Sequence, residues 1–157
     1  MLRHSARFAI LVGGGIAATL DILYAIIYSW IRAKVPPITI MQSVASGLIG
    51  QRAYEGGAAT AVLGLVCHYA MALIIASIFW IASRRLGFMT RNAVAAGLAF
   101  GVCVYLVMNF VVIPLSAFPT QMTYTPVRVA INVVAHMILF GLPIALATRA
   151  ASRAQRA

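Results

Sequence analysis

"FAILVGGGIAATLDILYAIIYSW", residues 8 to 30, is an apolar run of 23 residues interrupted by a single acid, Asp21. As a helix rising about 1.5 Å per residue, such a run crosses a hydrocarbon core of about 30 Å. A secretory leader has a shorter apolar core, about 7–15 residues, and a small-residue cleavage site. This run is too long and continues into "IRAK", residues 31 to 34, so it reads as an uncleaved spanning helix. The first span is taken as residues 8–31, and three further runs of spanning length follow at 57–82, 92–117 and 127–148. The pattern predicts an all-α integral membrane bundle of four transmembrane helices in one domain, residues 1–157.

Composition excludes the soluble alternative. Apolar residues make up 63% of the chain and charged residues 9%, against about 25% charged in soluble domains. A net charge of +10 would suggest nucleic acid in a soluble chain. Here the basic residues stand at the ends of apolar runs, in "RHSAR" (3–7), "RRLGFMTR" (84–91) and "RAASRAQR" (149–156). That is the pattern of a topology signal, with the lipid bilayer and anionic head groups as partners and no nucleic acid. Cys67 and Cys103 lie inside apolar runs and read as small packing residues.

An even number of spans leaves both termini on one side. The termini and the second loop carry eight basic residues: Arg3, Arg7, Arg84, Arg85, Arg91, Arg149, Arg153 and Arg156. The first and third loops with their edges carry four: Arg32, Lys34, Arg52 and Arg128. The positive-inside rule then puts both termini in the cytoplasm. Trp30 and Trp80 fall near opposite ends of their spans, where indoles favour the interface. The first loop holds an uncharged segment, "PPITIMQSVASGLIG", residues 36 to 50. Met41, Val44, Ala45, Leu48 and Ile49 recur there at helical spacing, and Pro37 suits a first turn. The segment is too short to span. It predicts an interfacial or re-entrant helix at about 37–50, a lid over one end of the bundle.

Asp21 raises the question of partners, because an ionised carboxylate at a helix centre costs about 2.5–3.5 kcal/mol on insertion scales. Counting inward from the outer ends, Asp21, His68, Asn109 and His136 all fall about 12–17 Å deep at 1.5 Å per residue. Asn132 lies one turn outward from His136. Three of the four spans carry a stripe of small residues on the same face. These are Gly14, Ala17, Ala18 and Ala25 beside Asp21; Ala61, Gly64, Ala72 and Ala76 beside His68; Gly97 and Gly101 before Tyr105 and Asn109. Small stripes are where membrane helices approach closely. The side chains Asp21, His68, Asn109, Asn132 and His136 are therefore expected to meet inside the bundle. Asp21 is expected to hydrogen-bond a histidine or Asn109. Pro114 and Pro143, inside spans 3 and 4, are expected to kink their helices and shape packing.

Such a layer serves one of three ends. It could pass protons or a small solute, since Asp and His change protonation near neutral pH. It could hold haem or a divalent metal on His68, His136 and Asp21, though no HxxxH or CxxCH supports this. Or it could fix helix register in a structural or assembly subunit, with a membrane-protein partner or a second copy of the chain. No phosphate loop, nucleophile elbow or HExxH occurs, and "GGG" at 13–15 lies inside a span, so enzymatic chemistry is not expected. The leading expectation is a non-enzymatic conduit with no resident cofactor.

The stretches "GGGIAATLDILYA" (13–25), "MNFVVIPLSAFP" (108–119) and "HMILFGLPIALATR" (136–149) resemble those of small four-helix bacterial inner-membrane proteins of unknown function. The resemblance implies the bacterial inner membrane as location. It brings no catalytic residues with it.

Overall fold

A computed structural model describes residues 2–119 and 123–154. Five long helices make up the fold, and no strand occurs among the described residues. Four are long and apolar enough to cross a membrane: α1 (Ser5–Ala33), α3 (Gly57–Arg85), α4 (Ala93–Leu115) and α5 (Pro126–Arg153). The fifth, α2 (Pro37–Ile49), sits between the first two. The expected architecture, an all-α bundle of four spans with a short helix in the first loop, is the one observed. The spans are within a few residues of the expected bounds, and α1 and α5 extend further toward the termini.

Local chemistry sets the ends of these helices. α1 stops at Lys34, which adopts the left-handed conformation (φ 52°) and donates its amide to the Trp30 carbonyl at 3.0 Å. Pro36 is extended, and Pro37 takes the first turn of α2, where its missing N–H costs nothing. Gly50 (φ 65°) ends α2 and opens a short 3₁₀ turn, and Gly57 (φ 57°) starts α3.

Close packing between helices is built on small residues. A Cβ on Gly101 or Gly141 would strike the backbone of the facing helix, so α4 and α5 cross with their main chains almost touching. Gly13 of α1 lies against Ile144 and Ala147 of α5, and Gly14 lies against Ala72 and Ala76 of α3. α2 packs along the start of α3, where Gly64 leaves room for the Met41 carbonyl. Buried Gln42 locks this contact, its Nε2 donating to the Gly57 carbonyl at 3.0 Å. α2 is thus a lid docked on the bundle, and its Gly47 carbonyl accepts from the Ala117 amide at 2.9 Å. The backbones of α3 and α4 do not approach in this way. They meet through an edge-on ring pair, Phe79–Phe100, with centroids 4.8 Å apart.

The core is mostly alanine: Ala17, Ala18, Ala72, Ala76, Ala93 and Ala145 around Phe79 and Ile144. The large apolar side chains point outward instead, including Leu11, Ile27, Ile31, Ile74, Ile81, Val107 and Leu115. Small inside and large outside inverts a soluble protein and fits lipid as the outer solvent. With four such helices, the chain is a multi-pass membrane protein.

Three details depart from expectation. α4 and α5 do not simply kink at their prolines. A π-helical segment, Met108–Val112 or His136–Gly141, precedes Pro114 or Pro143. Widening the turn accommodates the carbonyl that the proline ring would otherwise strike. Trp80 is 7% exposed, packed on Ala9 and Ala151 rather than lying free at an interface. Cys103 faces outward and is not a packing residue, while Cys67 is half-buried.

Candidate functional site

All five candidate polar residues, Asp21, His68, Asn109, Asn132 and His136, line one cavity of about 490 Å³. α2 roofs it with Ser43, Val44, Gly47 and Leu48. Phe118, Thr123 and Tyr124 from the third loop complete the rim. The cavity occupies the half of the bundle nearest α2. Toward the termini, the close crossings at Gly101, Gly97 and Gly141 and the Phe79–Phe100 pair fill the interior.

Asp21 faces His136 as expected, but not in hydrogen-bond contact. Its Oδ1 lies 3.8 Å from His136 Nε2, an ion-pair distance, and both side chains are 18% exposed. The other face of the imidazole fixes its chemistry. His136 Nδ1 is 2.9 Å from the Asn132 carbonyl, which only accepts, so Nδ1 carries a proton. Nε2 is the ring nitrogen turned toward the Asp21 carboxylate, across a gap that no direct hydrogen bond closes. A π-helical turn begins at His136, and Tyr105 packs edge-on to its ring at 5.4 Å between centroids.

Asn132 extends the group one turn toward α2. It accepts from the Tyr24 hydroxyl at 3.2 Å through Oδ1 and donates through Nδ2 to the Arg128 carbonyl at 2.8 Å. Asn109 turns onto its own helix, Nδ2 donating to the Tyr105 carbonyl at 2.9 Å, and its carbonyl accepts from the Tyr124 hydroxyl at 3.1 Å. His68 does not reach Asp21. Its Nε2 donates to the Ala18 carbonyl of α1 at 2.9 Å, a cross-helix tie at the cavity wall. The cavity therefore gathers the five residues, but its direct pairs are Asp21–His136 and Tyr24–Asn132.

The donor set does not resemble a metal centre. Among the described residues no group of three or more His, Cys, Asp or Glu is placed to hold a metal ion. The Nε2 of His68 is already committed to a carbonyl, and His136 Nδ1 to another.

The lining residues Tyr105, Tyr124 and Arg128, and Tyr24, which bonds Asn132, were not among the site residues expected from the sequence. From the sequence, Tyr105 stands only on the inward face of its span, ahead of Asn109. Arg128 had been counted only as a topology charge, yet it lines the cavity near its α2 end. The opposite wall is apolar, with Met71 and Ile75 of α3 facing Val104, Met108 and Val112 of α4.

Fold and site together define a class: a four-span membrane bundle with a polar-edged cavity beneath a docked helical lid. Comparison with family models, curated proteins and solved structures finds no match for this chain.

Proposed function

We propose that the chain is a non-enzymatic protein of the bacterial inner membrane that handles protons at Asp21–His136 and admits a small solute to the cavity around them. The reading takes the charge asymmetry to put both termini in the cytoplasm, so the α2 lid faces outward. The observation that carries it is the Asp21–His136 pair, 3.8 Å apart and reachable from the cavity. One side of the imidazole is held by a carbonyl, so in this reading the other nitrogen and the carboxylate are the groups that exchange protons with the cavity. An acid–base pair at mid-membrane costs insertion energy that a merely structural helix contact would avoid. Transfer to the far side requires the packed half around Gly97, Gly101 and Gly141 to part.

Reconstitution tests this directly. Liposomes carrying the protein and an internal pH dye should discharge an imposed pH gradient faster than empty liposomes. Asp21→Asn should fall to the empty-liposome rate while still inserting as a monodisperse protein. Equal discharge by wild type and variant, or no discharge above empty liposomes, would remove the conduit and leave a register or assembly role for the pair.

A further inference from the structure

We propose that the cavity binds a single-chain anionic amphiphile, a molecule with a phosphate or carboxylate head, and that it enters sideways from the lipid leaflet between α3 and α4. The proposal rests on the cavity being a binding site, and adds what it binds and by which route.

The route follows from where the walls are sealed. The roof is closed by α2, tied to the third loop through the Gly47–Ala117 hydrogen bond. The floor is closed by the glycine crossings and by the Phe79–Phe100 pair. α1 packs closely on both α3 and α5, and α5 packs closely on α4. Among the described residues the neighbouring helices α3 and α4 make no close backbone approach, and above Phe79–Phe100 the cavity lies between them. Its edges are apolar and outward-facing: Leu48 is 65% exposed and Met71 36% exposed. In a bilayer that side looks into acyl chains, so lipid rather than water borders the opening.

The chemistry of the occupant follows from the two walls. The α3–α4 wall offers Met71, Ile75, Val104 and Met108, a surface for one flexible chain, and methionine adapts to irregular chains. The opposite wall offers Arg128. Among the described residues its guanidinium has one weak tie, Nη1 to the Thr123 carbonyl at 3.5 Å. The chain has two acids. Asp21 faces His136, and neither Asp21 nor Glu55 lies within ion-pair distance of Arg128. A guanidinium lining a cavity without a carboxylate is matched by a phosphate or carboxylate that it grips with two parallel N–H donors. Arg128 also sits in the first turn of α5, where the helix dipole favours negative charge.

Depth agrees with this assignment. Arg128 is eight residues from His136 on α5, about 12 Å nearer the membrane surface. A lipid-derived molecule sliding in from the outer leaflet keeps its head at that level and its chain below. A volume of about 490 Å³ is within the range of sites for drug-sized ligands, enough for one chain and not for an intact two-chain lipid.

The test uses full-length protein in phosphatidylcholine nanodiscs and native mass spectrometry. The probes are dodecyl phosphate, dodecyltrimethylammonium and inorganic phosphate. One dodecyl phosphate per chain should be retained, with at least tenfold weaker retention of the other two. Arg128→Gln should weaken dodecyl phosphate by about tenfold, and Arg128→Lys should restore part of it. Met71→Trp, which narrows the α3–α4 edge, should slow loading without touching Arg128. Equal retention of the cationic amphiphile would overturn the anionic head. Equal retention of inorganic phosphate would mean that the site takes a soluble anion and the lateral route fails. If Arg128→Gln does not fold, the three probes on wild type still decide. Dodecyl phosphate ignored by a protein whose proton flux still depends on Asp21 would sink this inference alone. Retention without such flux would sink the conduit alone.

Discussion

Gly101→Ala adds one methyl group at the tightest helix crossing, and the geometry sets its effect. The new Cβ would lie 2.5 Å from Met137 Cα and 2.7 Å from the His136 carbonyl carbon. Carbon atoms rest at about 3.5–4.0 Å, so α4 and α5 must separate by roughly 1 Å. Neither obstacle is a side chain that could rotate away. Overpacking of this kind costs about 1–3 kcal/mol. Alanine returns up to about 1 kcal/mol in helix propensity. Because the obstacles are backbone, the upper part of the overpacking range, about 2–3 kcal/mol, applies, and the expected net loss is about 1–2 kcal/mol. Gly15→Ala is the control, because no atom lies within 4 Å of the added methyl. It should be neutral or gain up to about 1 kcal/mol. Both variants would be unfolded by raising the fraction of sodium dodecyl sulfate in dodecyl maltoside micelles, followed by circular dichroism. Gly101→Ala as stable as wild type, or Gly15→Ala equally damaged, would show that the α4–α5 crossing is looser than described. The same shift moves His136, so the Gly101→Ala protein should also discharge a pH gradient more slowly.

Two further outcomes are expected. Gln42→Ala removes the buried donor that ties α2 to the Gly57 carbonyl, and should cost about 1–2 kcal/mol in the same titration. Amide exchange at residues 57–60 should rise with it, and unchanged exchange would mean that α2 is held by the Gly64 contact alone. Elemental analysis of the purified protein should find well below one transition metal per chain. A stoichiometric metal lost in His68→Ala would restore the haem or metal alternative, and with it a rotation of His68 away from Ala18.

The bundle was legible because each span carries its own evidence. Residues 8 to 30 are long and apolar enough to be read alone, and the same holds for the other three runs. The lid was legible for a related reason: Pro36–Pro37 forces a restart and Gly50 ends the turn, so α2 has clear bounds. The π-helical turns at Met108 and His136 were not. A proline shows that a hydrogen bond is missing, but whether the chain bends or widens depends on the helix packed against it. At His136 that neighbour is Gly101, which lets the main chains touch.

Counting residues from a helix end gives one coordinate, depth. It was enough to bring Asp21, His68, Asn109 and His136 to a common level, with Asn132 one turn outward, and the structure sets all five around one cavity. It does not give the angle around the bundle axis, and the angle decides who touches whom. His68 and His136 share a depth with Asp21, yet one reaches the Ala18 carbonyl and the other faces the carboxylate. Small-residue stripes supply part of the missing angle, because they mark which face turns inward. They do not distinguish a face pressed on a neighbour from one that borders a cavity. Arg128 shows the consequence. Counted as a topology charge it belongs to the membrane surface, and by its place on α5 it also belongs to the cavity. The two readings are compatible for one side chain, because a guanidinium at the depth expected for lipid head groups would also be at the depth where the proposed anionic head enters.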